Sequence, residues 1–223
     1  MPNPPLLLCD SDALVQFFLA DDLRPLQALK TFNIQPTITL EVDVELRWLA
    51  KYRDAMVPKL DKALKRGALV KLDQGMFQGY LGTAAAGTSW ASYQALGARY
   101  YGFVQRGEAY THAAAVSLAM PAMSNDGKAV RVLEAQMMAV PAPILRFFDI
   151  IKFCHTSSIL STKECEDIRS ALLANGEGLP GPFQHASFAD GEKNFPCRLV
   201  TGVASGSPYP RPSLHYEPLT IVP

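Results

Sequence analysis

The sequence predicts a three-layer α/β fold, with a central parallel sheet flanked by helices, and three observations lead there. Leu6-Leu7-Leu8-Cys9 is a continuous apolar run without polar alternation, as expected of a strand buried on both faces of a parallel sheet. Other short apolar runs are separated by longer segments of helical spacing, which is the βαβ pattern. Ser161-Thr162-Lys163-Glu164 forms a capping box before a helix that Asn175-Gly176 can stop. At 223 residues the chain can form one well-cored domain with an appendage, or two small domains.

Ser11 or Asp12 is placed to cap the helix after the first strand, in which Leu14, Phe17, Phe18 and Leu19 share a face. A short helix around Pro25 to Lys30 leads to Ile34 and Ile38. Val42 and Val44 alternate like a strand, but Leu46, Leu49 and Ala50 have helical spacing, so the stretch from Leu40 reads as helix. An amphipathic helix from Val57 gives way to the apolar pair Leu69-Val70. Gly75, Gly79, Gly82 and Gly87 mark Gly75 to Thr88 as a loop. Helices are expected from Trp90 to Val104 and from Gly107, then a strand near Ala122-Met123 and a helix from Gly127 to about Met138. A strand at Val140 and a helix from Ile144 to Phe153 follow. From Leu179 the periodicity dissolves, and Pro208, Pro210, Pro212, Pro218 and Pro223 predict an irregular C-terminal extension. The expected organisation is a domain over 1–178 and an extension over 179–223.

Composition narrows the function classes. Net charge is zero, so no global basic field advertises nucleic acid, and any such surface needs local segregation of charge. The four cysteines show neither a CxxC pair nor metal-ligand spacing, which favours a reducing compartment. The first residues lack a basic signal-peptide region, and no stretch approaches 18 apolar residues. The expectation is a cytoplasmic protein.

Four acidic residues fall where such a sheet would aim them at one cleft. Asp10 follows the first strand, Glu45 sits in the helix from Leu40, Glu108 opens the helix of small residues at Gly107, and Asp126 follows Ala122-Met123-Ser124. In open parallel sheets the carboxyl edge is where ligands bind. Two carboxylates 4 Å apart repel by roughly 4 kcal/mol at an effective dielectric near 20, so a cluster of four needs a cation. Hard divalent ions such as Mg²⁺ take oxygen ligands, and their usual substrates are phosphates. Metal-assisted phosphodiester hydrolysis is the expected chemistry. Taken singly, each acid also has an ordinary role as a helix cap, a first-turn acid or a turn residue. Ser11 fits a cap as well as it fits orienting water. His112, one turn beyond Glu108, reads more simply as a structural histidine.

Between Arg47 and Lys71 lie eight cations against two acids, Asp54 and Asp61. Lys51, Lys59, Lys62, Lys65 and Arg66 are therefore candidates to hold an RNA backbone. An ordinary solvated helix face explains them equally well.

The residues also resemble a known family. Leu6-Leu7-Leu8-Cys9-Asp10-Ser11-Asp12 resembles the opening strand of a PIN domain, and Glu41 to Leu46 its second acidic element. Arg106-Gly107-Glu108-Ala109 is similar to the "GEA" helix of one PIN branch, and Met123 to Ala129 to the strand end with the last acid. Val140 to Glu164 is similar to the closing elements of that branch, so the resemblance covers about residues 5 to 178. It implies a ribonuclease holding Mg²⁺ or Mn²⁺ on Asp10, Glu45, Glu108 and Asp126, acting on single-stranded or structured RNA. Many PIN proteins are toxins of toxin–antitoxin pairs, which implies an antitoxin or other protein partner and is compatible with oligomers. The sequence departs from the pattern in its long insert between Lys51 and Glu108, in Asn125, and in the tail after Leu179. Two rival readings remain. Asp10-Ser11-Asp12 also has the DxD form of a haloacid-dehalogenase-like phosphatase, with Asp10 as nucleophile, Asp12 as acid and Asp126 as metal ligand. A non-catalytic PIN-like module that binds RNA or protein is the other.

Overall fold

The computed structural model describes residues 4–48, 53–81, 89–127, 144–197, 199–202 and 211–214. Five parallel strands form the central sheet: β1 (Leu6–Cys9), β2 (Gln35–Ile38), β3 (Val70–Lys71), β4 (Ala122–Met123) and β5 (Ile144–Leu145). Their order across the sheet is β3-β2-β1-β4-β5. β1 is central, with Leu6 opposite Gln35 on one side and Leu8 opposite Ala122 on the other. Its side chains alternate between two separate cores. Leu7 and Cys9 join one core and Leu6 and Leu8 the other. That division is why the strand is apolar throughout.

Helices cover both faces. Helices α1 (Ser11–Leu19), α2 (Arg24–Thr31), α3 (Leu40–Trp48), α4 (Arg53–Lys65), α8 (Phe147–Thr156) and α9 (Thr162–Ala174) contribute to the core on the Leu7 face. On the Leu6 face lie α5 (Gln74–Leu81), α6 (Trp90–Tyr101) and α7 (Arg106–Leu118). The expected three-layer α/β architecture is therefore present. No helix among the described residues is long and apolar enough to cross a membrane.

Several local expectations need correction. The cap of α1 is Asp10, not Ser11 or Asp12: its backbone is extended and its carboxylate accepts from the Ser11 amide. α4 begins at Arg53 and passes through Pro58, four residues before the expected start. Gln74–Leu81 is helix rather than loop, because burying Phe77 and Tyr80 outweighs the weak helix propensity of two glycines. Ile144–Leu145 is the edge strand β5, and the helix that follows starts only at Phe147. The expected strand at Val140 and nearly all of the helix from Gly127 lie outside the described residues.

The capping box forms as expected, with Ser161 accepting from the Glu164 amide and Glu164 from the Ser161 amide. The Ser161 amide and then Arg24 hold the Glu164 carboxyl down at about 2. Gly176, with φ of +75°, closes that helix in the left-handed region glycine tolerates.

Beyond Leu179 the chain is less irregular than its sequence suggests. α10 (Gly181–Gln184) and α11 (Phe188–Asn194) bring Phe183, Phe188 and Phe195 into the main core, and Phe183 stacks on Phe148 at 4.2 Å. Residues 179–197 therefore pack with the domain. β6 (Leu199–Gly202) and β7 (Arg211–Leu214) form a separate antiparallel pair.

Candidate metal centre

The carboxyl ends of β1 and β4 are tied together at the site. Asp10, just past β1, donates its amide to the Met123 carbonyl at 2.9 Å, while its Oδ1 accepts from the Ser11 amide at 2.7 Å. Asp12 lies in the first turn of α1, and its Oδ2 accepts from the Asn125 amide at 3.0 Å. The Ser124 hydroxyl stands 3.4 Å from Asp10 Oδ2 and 3.3 Å from Glu108 Oε1, and accepts from the Asp126 amide at 3.3 Å. With one proton, that hydroxyl can donate to only one carboxylate at a time.

α7 supplies Glu108 from its first turn, and α3 supplies Glu45. The two helices approach closely at Gly107, where a Cβ would overlap Glu45 Oε2. Glycine is needed here for space rather than for backbone conformation. Asp10, Ser11, Asp12, Glu45, Gln105, Glu108 and Asp126 together line a pocket of about 80 Å³. The structure thus brings together all four carboxylates named from sequence. It adds Asp12 as a fifth, with Gln105 on the wall and Ser124 linking Asp10 to Glu108. Asp12 was legible as the second acid of Asp10-Ser11-Asp12; nothing in the sequence singled out Gln105 or Ser124.

The pocket disfavours its own charge. Burial, then the charges of Asp12 and Glu108, raise the Asp10 carboxyl well above the ordinary range. Burial and the Asp126 charge lift Asp12 to about 6, against the pull of the Ala13 and Asn125 amides. Glu108 rises to about 8 through burial and the charges of Asp126 and Asp12. Glu45 is raised chiefly by burial. Desolvation and like charge act in the same direction, as crowded carboxylates require.

Two oxygens in this pocket, Asp12 Oδ1 and Glu45 Oε2, are buried and make no hydrogen bond of good geometry, although the Ala13 amide acts on Asp12, and Ser11 and the Gly107 amide act on Glu45. Poorly met acceptors of this kind destabilise the fold unless something positive meets them. An all-oxygen donor set with such acceptors fits a hard divalent cation in its chemistry. Its spacing is open: among the described residues no three His, Cys, Asp or Glu side chains stand arranged to hold an ion. Binding would have to draw the carboxylates inward.

The basic segment does not join this pocket. Lys59 donates to the Phe18 carbonyl at 2.6 Å and pairs with Asp21 at 3.0 Å, at the far end of α1 from Asp10. Nine residues of helix separate those ends by roughly 13 Å. Lys62 and Arg66 line a groove there with Lys59, Asp21, Asp22 and Arg24. Lys65 ends α4 just before Gly67, whose carbonyl meets Lys30 beside the amino end of β2. Lys59, Lys62, Lys65 and Arg66 therefore lie at the amino edge, opposite the carboxylates, and Lys51 lies outside the described residues. Arg47 and Lys71 are engaged internally, both with the buried Asp43. His112 is buried among apolar groups, which lowers its pKa to about 4 and leaves Nε2 without a partner. It does not line the pocket.

No known protein family, curated protein or solved structure matches this chain.

Proposed function

We propose that this chain is a metal-dependent nuclease that hydrolyses phosphodiester bonds, with RNA as its substrate class. The observation that carries the reading is the convergence of Asp10, Asp12, Glu45, Glu108 and Asp126, from four separate chain segments, on one pocket with poorly met buried oxygens. Structural acids seldom gather this way, because their mutual repulsion and desolvation destabilise the fold. RNA and the PIN family enter through the resemblance of the strand-end and helix motifs alone.

Asp10, Glu45, Glu108 and Asp126 would hold one or two Mg²⁺ or Mn²⁺ ions, with Asp12 beside them. A bound ion of this kind would polarise the phosphoryl group and activate water for in-line attack. The chain's own groups prepare the site. Ser124 bridges Asp10 and Glu108, the Asn125 amide fixes Asp12, and the Gln105 amide can donate to a phosphate oxygen at the rim. Burial and the charges of Asp126 and Asp12 favour the protonated form of Glu108, and a bound cation would favour the carboxylate instead.

The test is incubation of end-labelled single-stranded RNA, duplex RNA and single-stranded DNA with the protein, with Mg²⁺, Mn²⁺ or EDTA. Divalent-dependent internal cleavage of RNA, abolished by Asp10→Asn and by Glu108→Gln, is the expected result. A covalent phosphatase would use Asp10 and Asp12 and leave Glu45 and Glu108 idle. Release of phosphate from a monoester by Glu45→Gln and Glu108→Gln at the wild-type rate, without RNA cleavage, would overturn the proposal.

A further inference from the structure

His155 stands between a hydroxyl and a carboxylate. Near the end of α8, its Nδ1 lies 2.8 Å from Glu192 Oε1 and its Nε2 lies 3.0 Å from Thr162 Oγ1. Three elements supply the set: α8 the imidazole, α11 the carboxylate and the first turn of α9 the hydroxyl. An ionised carboxylate only accepts, so the neutral ring carries its proton on Nδ1, and Nε2 is left to accept from the Thr162 hydroxyl. The hydrogen bonds therefore run one way, Thr162 to His155 to Glu192. That is the polarity a base-activated nucleophile needs.

Packing fixes the set while leaving its hydroxyl accessible. Lys152 donates to the carbonyls of Glu192 at 2.7 Å and Phe195 at 3.1 Å, which fastens α11 to α8. Phe188 meets the imidazole edge-on, with 5.3 Å between ring centroids. The Ile159 and Leu160 amides close the turn between α8 and α9 on the Cys154 carbonyl, at 2.8 and 3.2 Å. The His155 and Glu192 side chains are 23% and 17% exposed, and Thr162 is open to solvent. Ser161 and Glu164 cap each other's amides, whereas the Thr162 and Lys163 amides are first-turn donors with no carbonyl inside the helix to meet. Both adjoin the hydroxyl in the chain and can meet negative charge that develops beside it. Phe147, at the other end of α8, meets Asn125 beside the acidic pocket, so roughly 12 Å of helix separates the two places.

We propose that Thr162, His155 and Glu192 form a second catalytic site, which hydrolyses short-chain carboxylic esters through an acyl-threonine. Thr162 Oγ1 attacks the ester carbonyl carbon as its proton passes to His155 Nε2. The bond to the leaving alcohol oxygen breaks, that oxygen takes the proton from Nε2, and the acyl group stays on Thr162. Water then attacks the acyl carbon and gives a proton to Nε2. The bond to Oγ1 breaks, the proton returns to Oγ1 and the carboxylic acid leaves. Glu192 holds the ring in the required tautomer and faces the imidazolium formed in each half of the cycle. The exposure of Thr162 fits short acyl groups, which need no deep pocket.

The test uses p-nitrophenyl acetate and the full chain in EDTA, so it stands or falls independently of the nuclease reading. Release of p-nitrophenol, with acetyl found on Thr162 by peptide mass spectrometry, is the expected result. Thr162→Val, which keeps the side chain's shape, should abolish both, and Thr162→Ser should retain them. His155→Gln should slow acetylation of Thr162 at least roughly 100-fold, the lower end of what a general base contributes. Acetyl found only on other side chains, or Thr162→Val as active as the wild type, would overturn the proposal and leave His155 as a tie between α8, α9 and α11.

Discussion

Glu108→Gln removes one charge from the acidic pocket and keeps the side chain's volume. Burial, then the charges of Asp126 and Asp12, lift the Glu108 carboxyl to about 8, against an ordinary 4.5. A carboxyl that holds its proton more tightly in the folded chain than in the unfolded one makes stability fall as pH rises. Below 4.5 the group is neutral in both states and subtracts nothing. Between 4.5 and about 8 the unfolded chain ionises while the folded chain resists, and above 8 the loss is complete. At about 1.4 kcal/mol per pH unit that span corresponds to roughly 5 kcal/mol, which solvent screening at the pocket mouth reduces to roughly 2–3. In EDTA, Glu108→Gln should therefore raise the melting temperature by roughly 4–12 °C near pH 9 and leave it nearly unchanged near pH 4. Thermal unfolding followed by circular dichroism at the two pH values measures this. An equal shift at both, or destabilisation near pH 9, would refute the electrostatic account of the pocket.

Gly107→Ala should push Glu45 out of the pocket, because the added Cβ overlaps its carboxylate and stands 3.3 Å from Val42 Cγ2. The expected result is a fall in kcat of about tenfold or more with a small change in melting temperature, read from parallel kinetics and unfolding. Phe183→Ala should cost about 3–5 kcal/mol in chemical denaturation, since its ring is buried against Phe148. A loss under about 1 kcal/mol would make residues 179–197 an appendage after all. Lys62→Ala with Arg66→Ala should leave KM for RNA and its salt dependence unchanged, because both side chains lie at the amino edge. A salt slope reduced by about 0.7 for each cation removed would return those residues to the RNA path.

What the sequence revealed depended on whether the signal was local. Leu6 to Cys9 announced a central strand because both of its faces are buried, and Ser161 with Glu164 announced a helix start because both partners lie within one turn. The four carboxylates were legible because parallel strands end at one edge, which turns residues distant in sequence into neighbours. The same topology could have placed the lysines. A chain leaving the carboxyl end of β2 must return to the amino end of a parallel β3, so Lys62, Lys65 and Arg66, just before β3, belong at the far edge. Their sequence proximity to Glu45 misled. Ile144–Leu145 has too few residues to show strand periodicity, and Phe183, Phe188 and Phe195 have no regular spacing, so only the folded core reveals what they bury against. Glu41 and Asp43 are buried where a helical wheel would place them in solvent, against the exposed Val44 and Trp48.

The most direct test of the central claim is Mn²⁺ binding to the metal-free protein, followed by loss of the free-ion paramagnetic resonance signal. The wild type should take up one or two ions, as should the amino-edge variant Lys62→Ala/Arg66→Ala. The double variant Asp10→Asn/Asp126→Asn should take up none at the same concentration, and RNA cleavage should rise with occupancy of the wild type. Equal uptake by the wild type and the Asp10/Asp126 variant would place the ion elsewhere and contradict the account.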